Sequence, residues 1–187
     1  MKPSLLNNPI LQPVFYIIGR IGLFVLGWKT HGKIPDLKKF ILVAAPHSSN
    51  WDFVFFLLII FKFRIPVHWM AKESMFIPPF KTLLIRLGGI PIDRSKNKNT
   101  VQVMAETFNN SDRLIVTIAP SGTRQKVRAW KSGFYHIAHQ ANVPIVCGFV
   151  DYKRKTGGIG PTLHPSGDME ADLDLMREFY KDKAGRY

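Results

Sequence analysis

The sequence predicts one α/β domain built on a largely parallel sheet flanked by helices, with an apolar helical segment ahead of it. Three observations predict this. Apolar runs with strand character recur at residues 40–45, 67–71, 114–118 and 143–150. Stretches with helical patterning separate them, and strands alternating with helices imply crossover connections and a mostly parallel sheet. The length of 187 residues is enough for one sizeable core and short for two.

Taken in order, residues 1–12 carry Pro3, Asn7, Asn8 and Pro9 and read as an irregular lead-in. Residues 13–28 are apolar, but Arg20 sits near their middle and Gly19, Gly22 and Gly27 weaken them as a free helix. A spanning helix needs roughly 20 mostly apolar residues, and a central Arg costs about 2.5–3.5 kcal/mol on insertion scales. No small-residue cleavage pattern follows, so a signal peptide is a poor fit. A helix or helical hairpin lying in one leaflet fits better; a buried core helix is the alternative. Residues 29–39 are polar and basic and link this segment to the first strand, 40–45. Residues 53–63 are apolar on every side, as a helix that is buried or faces lipid is.

Residues 67–71 read as the second strand. Residues 80–87 read as a short helix stopped by Gly88, the residue type expected at a helix C-terminus. A short strand is expected at 90–92 and an amphipathic helix at 100–108. The β-rich run 114–118 ends in the turn Pro120-Ser121-Gly122-Thr123. A helix over 131–142, a buried strand over 143–150 and a basic, glycine-rich turn over 153–160 follow. The last helix starts near Asp168, with Glu170, Asp172 and Asp174 early and Lys181, Lys183 and Arg186 late, as the helix dipole favours. The division this suggests is a membrane-associating helical segment over 1–39 and a catalytic domain over 40–187.

The formal net charge is +13, from 26 basic against 13 acidic residues. Such a surface attracts nucleic acid, anionic lipid or a phosphorylated substrate. A hydrophobic content of 46% with 14 phenylalanines favours lipid. Zinc-finger spacing, an RNP aromatic pattern and a basic region with heptads are all missing, so no nucleic-acid partner is expected. The single Cys147 forms no internal disulfide, fits a reducing compartment and lies in an apolar strand pattern.

Chemistry concentrates in His47-Ser48-Ser49-Asn50-Trp51-Asp52, directly after the first strand. Residues five apart on a helix point about 140° away from each other. His47 and Asp52 therefore meet only if the histidine occupies the turn and the aspartate opens the next helix. A carboxylate on one imidazole nitrogen leaves the other as a general base. The alternative is a loop histidine beside an ordinary helix N-terminal acid. No Gly-x-Ser-x-Gly elbow is present, so Ser48 and Ser49 read as turn residues or as backbone donors to an oxyanion. His136 and His139, three apart on a helix, lack an acid or cysteine to complete a ligand set, and no metal is expected.

Three later segments change the reading. Gly88-Gly89-Ile90-Pro91-Ile92-Asp93-Arg94, then Ile118-Ala119-Pro120-Ser121-Gly122-Thr123-Arg124, then Val143-Pro144-Ile145-Val146 follow the His-x4-Asp segment in order. Together the four resemble the sequence blocks of the glycerolipid acyltransferases, and most closely those of the lysophosphatidate (1-acylglycerol-3-phosphate) acyltransferases. The third block departs: Ser121 stands where the family usually has glutamate, which puts the usual acceptor contacts or the level of activity in doubt. The resemblance implies a glycerolipid acyltransferase-like fold with a membrane-seated N-terminal element. It implies His47 as base and Asp52 as its orienting acid. Arg94 would bind the acceptor's phosphate, its alternative being an ion pair with Asp93. Lys72 would be a second phosphate contact, and Ser121, Gly122, Thr123 and Arg124 an anion-binding acceptor loop. The implied reaction moves a fatty acyl group from acyl-CoA or acyl carrier protein to a lysophospholipid hydroxyl in phospholipid biosynthesis, with no cofactor beyond the donor. The implied partners are anionic membrane lipid, the lysophospholipid acceptor and the donor. The implied location is peripheral or monotopic on the cytoplasmic face of a membrane. A lipid hydrolase or thioesterase using the same pair, and a catalytically decayed membrane-binding homologue, are the rival readings.

Overall fold

Phe40 and Leu42 pack against one helical layer and Ile41 and Val43 against the other, so strand β2 (Lys39–Ala45) is buried on both faces. Burial on both faces is why its sequence is a continuous apolar run rather than an alternating one. The computed structural model describes residues 4–93, 100–123, 125 and 129–187. Around β2 stand β3 (Val67–Lys72), β4 (Gly89–Ile92), β5 (Leu114–Ile118), β6 (Ile145–Asp151), β7 (Thr156–Leu163) and β1 (Lys29–His31). The sheet order is β1-β7-β6-β2-β5-β3-β4. The strands from β6 to β4 run parallel, β7 is antiparallel to β6, and β1 is parallel to β7.

Helices α1 (Gln12–Val25) and α2 (Trp51–Phe63) cover one face. Helices α4 (Thr100–Asn109), α5 (Gly133–Gln140) and α6 (Met169–Tyr180) cover the other, and the short α3 (Lys81–Arg86) leads into β4. Asp168 caps α6 by accepting from Ala171 N at 3.1 Å. Cys147 is buried in the α4–α6 layer, where burial pushes its thiol up to about 11.

Two expectations are corrected. Residues 29–31 are strand, not linker: Lys29, Thr30 and His31 pair with Thr156, Gly157 and Gly158. A three-residue polar edge strand has no apolar periodicity, so only its tertiary partner defines it. Likewise the expected turn over 153–160 is a tight turn followed by β7. Its glycines disguise it, yet they are what permits close packing: a Cβ on Gly157 would lie 2.5 Å from Ile59 Cδ1, and one on Gly160 would overlap the Phe179 ring.

Helix α1 lies against α2 as an antiparallel pair. Phe15 stacks on Phe61 at 4.7 Å, the Arg64 guanidinium lies 4.5 Å from the Tyr16 ring, and Trp28 stacks on Phe55 at 3.8 Å. Gly19 makes the close approach possible, since a Cβ there would sit 2.6 Å from Leu58 O. The opposite face of α1 is apolar and open to solvent, with Phe24 83% exposed and Ile21 57% exposed. Among the described residues no helix is long and apolar enough to cross a membrane. Fourteen helical residues reach about 21 Å, against a hydrocarbon core of about 30 Å.

Candidate active site

The site sits past the carboxyl ends of the parallel strands, where such sheets place their ligands. β2 ends at Ala45, the chain turns through residues 46–50, and α2 begins at Trp51. That turn brings His47 Nδ1 to 3.3 Å from Asp52 Oδ2. Asp52 is 5% exposed and His47 27%. The same Oδ2 accepts from Ser48 N at 2.5 Å and Ser49 N at 2.7 Å. The other oxygen, Oδ1, accepts from the Tyr152 hydroxyl at 2.6 Å. Ser49 Oγ accepts from Trp51 N at 2.9 Å and closes the turn.

These contacts set the electrostatics. Burial pushes the Asp52 carboxyl up, but hydrogen bonds from His47, Tyr152, Ser49 and Ser48 outweigh it and hold the group below its ordinary value. Its place in the first turn of α2 adds the favourable end of the helix dipole. Asp52 is therefore a carboxylate at neutral pH. Burial, then the bond to Asp52, pushes the Tyr152 phenol above its ordinary value, so it remains a protonated donor. With Nδ1 turned to the carboxylate, His47 presents Nε2 as the free acceptor.

Of the two readings of Ser48 and Ser49, the structure fits turn residues: the backbone N–H groups of both donate to Asp52. Asn50 precedes α2 yet makes no side-chain cap, and it lines the same cavity as His47.

That cavity has a volume of about 290 Å³ and runs between α2 and the sheet. His47, Asn50 and Asp52 are among its polar lining, and Phe53, Phe56, Ile60 and Trp69 among its apolar walls. On the β5 wall, Thr117 is buried and its hydroxyl has no hydrogen-bond partner among the described residues.

The chain's last residues cross the site as a strap. Buried Asp151 anchors it, accepting from Lys153 N, Arg154 N and Ala184 N and pairing with Arg154 at 2.7 Å. Ala184 O accepts from Tyr152 N at 2.9 Å, and Arg186 N donates to Ser48 Oγ at 2.8 Å. The Arg186 guanidinium lies 5.4 Å from the Trp51 ring, a cation beside the His47 turn.

Of the other sequence candidates, Lys72 ends β3 and is exposed on the same carboxyl edge. Ser121, Gly122 and Thr123 follow β5. The register Val43↔Ile118 carries them to the level of the His47 turn. Ser121 Oγ donates to Thr123 O at 2.7 Å, and Gly122 adopts φ +62°, which suits glycine. Arg94 and Arg124 lie outside the described residues. His136 and His139 are both exposed on α5, where their rings meet Tyr135. Sequence reasoning missed Tyr152, Asn50 and Arg186. For Tyr152 a signal existed: it directly follows β6 on the carboxyl edge.

A largely parallel α/β sheet, a buried carboxylate bonded to a histidine just past its central strand, and an adjoining apolar cavity make up the candidate site. The chain belongs to the acyltransferase family, whose model matches residues 28–149. Its fold is similar to the crystal structure of the 1-acyl-sn-glycerophosphate (LPA) acyltransferase PlsC from Thermotoga maritima. The TM-score is 0.63 at 21% identity, over 90% of this chain and 76% of that one. Comparison with curated protein sequences yields no match.

Proposed function

We propose that this chain transfers a fatty acyl group from the thioester of acyl-CoA or acyl carrier protein to the free hydroxyl of a lysophospholipid. The acceptor we assign is 1-acylglycerol-3-phosphate, and the setting phospholipid biosynthesis. The observation that carries this reading is the His47–Asp52 pair opening directly into an apolar cavity sized for a hydrocarbon chain. The likeness to a protein described as a 1-acyl-sn-glycerophosphate acyltransferase supports the choice of acceptor.

In this mechanism His47 Nε2 removes the acceptor's hydroxyl proton as that oxygen attacks the thioester carbonyl. Asp52 holds the ring and faces the positive charge it acquires. The Asn50 carboxamide is the uncommitted donor for the oxyanion. Collapse breaks the C–S bond, and the leaving thiolate takes the proton back from the imidazolium. The phosphate is received by Lys72, Arg94 and the loop of Ser121, Gly122, Thr123 and Arg124, with Arg186 as a further cation. No metal or cofactor takes part. The segment 1–39 seats the enzyme on the membrane through the open apolar face of α1, on the cytoplasmic side where thioester donors are found, and residues 40–187 carry the chemistry. The test is a panel of lyso-acceptors with labelled acyl-CoA and acyl carrier protein thioesters. Acylated acceptor as product supports the reading, and thioester loss at the same rate without acceptor sinks it in favour of hydrolysis.

A further inference from the structure

A groove of about 620 Å³ lies beside α1 and β1, and its lining includes none of the reacting groups. Arg20, Lys29, His31 and Lys62 line it together with the apolar Ile21 and Phe24. The ion pairs among the described residues involve other cations, and Arg20, Lys29 and Lys62 face no carboxylate there. Lys62, in the last turn of α2, gains from the helix dipole. The dipole of one helix does not account for three more basic side chains converging on the same groove.

The helix geometry says what the groove faces. At 3.6 residues per turn, Ile10, Val14, Ile17, Ile21, Phe24 and Val25 project within about 100° of one another, Ile10 standing just ahead of the helix. All six are exposed. Arg20 projects about 40° beyond the Phe24 edge of that stripe. Its guanidinium thus stands at the boundary between the apolar stripe and the groove, where a long basic side chain reaches out of hydrocarbon to the headgroup level. Cations on one side and an apolar stripe on the other match the two ends of a phospholipid.

We infer that this groove is a second lipid site: it holds the phosphate of an anionic membrane phospholipid among Arg20, Lys29, His31 and Lys62. The lipid's chains run along Ile17, Ile21 and Phe24. The inference rests on the reading of the chain as an enzyme of lipid surfaces and adds the chemistry of the lipid that seats it. The site also bears on catalysis by position. Trp28 lines the groove, stacks on Phe55 and meets the Tyr152 ring at 5.1 Å, and Tyr152 donates to Asp52. A headgroup bound here sets the height of the catalytic turn over the bilayer.

The experiment is vesicle sedimentation of the full chain against phosphatidylglycerol-containing and pure phosphatidylcholine vesicles. A cation near an anionic surface contributes about a fivefold factor in partitioning. Arg20→Gln with Lys62→Gln should therefore weaken binding to the anionic vesicles about thirtyfold, with binding to phosphatidylcholine unchanged. Lys29→Gln with His31→Gln should act in the same direction from β1. The control pair Arg113→Gln with Lys181→Gln removes as much charge from elsewhere and should stay within about twofold of the parent. Equal losses in control and groove variants would reduce the effect to net charge and overturn the site. Release of bound protein by soluble glycerol phosphate, too dilute to screen the vesicles, would assign the groove to a free phosphate and also overturn it. Acyl transfer to a short-chain acceptor below its micelle concentration is measured alongside. Retained transfer in the groove variants is expected, whereas no transfer even in the parent defeats the catalytic reading and leaves the vesicle result to decide the groove.

Discussion

Replacing Tyr152 by phenylalanine removes one oxygen and little else. The ring packs edge-on against Trp28 at 5.1 Å and Phe55 at 5.6 Å, contacts that phenylalanine keeps. What is lost is the 2.6 Å bond from the hydroxyl to Asp52 Oδ1, on a carboxylate only 5% exposed. A hydrogen bond to a charged, buried group is worth about 1.5–3 kcal/mol, and Tyr152→Phe should destabilise the fold by that amount at neutral pH. The loss should depend on pH. Asp52 is held below its unfolded value, so its ionisation contributes stability that is present above about pH 4 and is lost as pH falls through the folded value. Tyr152 supplies part of that depression, so the gap between variant and parent should narrow as the medium is acidified. Urea unfolding of both proteins between about pH 6 and pH 2, a range that crosses the unfolded carboxylate value, reads this directly. A loss of the same size at every pH, or none at all, would refute the bond as the source of the effect.

Arg186→Gln should raise KM for lysophosphatidate several-fold while leaving kcat, and KM for a neutral monoacylglycerol, nearly unchanged; a steady-state comparison of the two acceptors decides it. Ser121→Glu exchanges the bond to Thr123 O for the family's usual carboxylate. It should change kcat/KM for the acceptor with the thioester's KM hardly moved, and an unchanged kcat/KM for every acceptor would show that the loop does not touch the acceptor. Gly19→Val places side-chain atoms against Leu58 O and Lys62 N, so thermal unfolding should show a loss of about 1–3 kcal/mol or more as α1 is pushed off α2. Asn50→Ala should lower kcat with little change in acceptor KM, as removal of an oxyanion donor does.

The strands at the centre of the sheet were legible because burial on both faces leaves an unbroken apolar run, as in Phe40 to Val43. The helix starts at Trp51 and Met169 were legible from Asp52 and Asp168, acids where a helix N-terminus favours them. Strands β1 and β7 were not. Lys29–His31 is polar and short, and β7 is broken by glycines whose purpose lies in Ile59 and Phe179, far away in the chain. The site divides the same way. His47 and Asp52 are close in sequence, so their spacing could suggest a shared turn. Tyr152 is 100 residues from Asp52, and Arg186 is 138 from Ser48. The place of Tyr152 just past β6 puts it on the edge where ligands bind, but its partner Asp52, like the partner of Arg186, is supplied only by the packing of β6 and the closing strap.

The central claim is that His47, oriented by Asp52, drives acyl transfer to a lysophospholipid hydroxyl. The most direct measurement is single-turnover transfer of a labelled acyl group from its thioester to lysophosphatidate by the parent and by His47→Ala. The account predicts labelled phosphatidate from the parent and a rate for the variant lowered by at least about a hundredfold, the lower end of what a general base contributes. A variant that stays folded and retains more than about one-hundredth of the parental rate, or a parent that releases free fatty acid without acylating the acceptor, would contradict it.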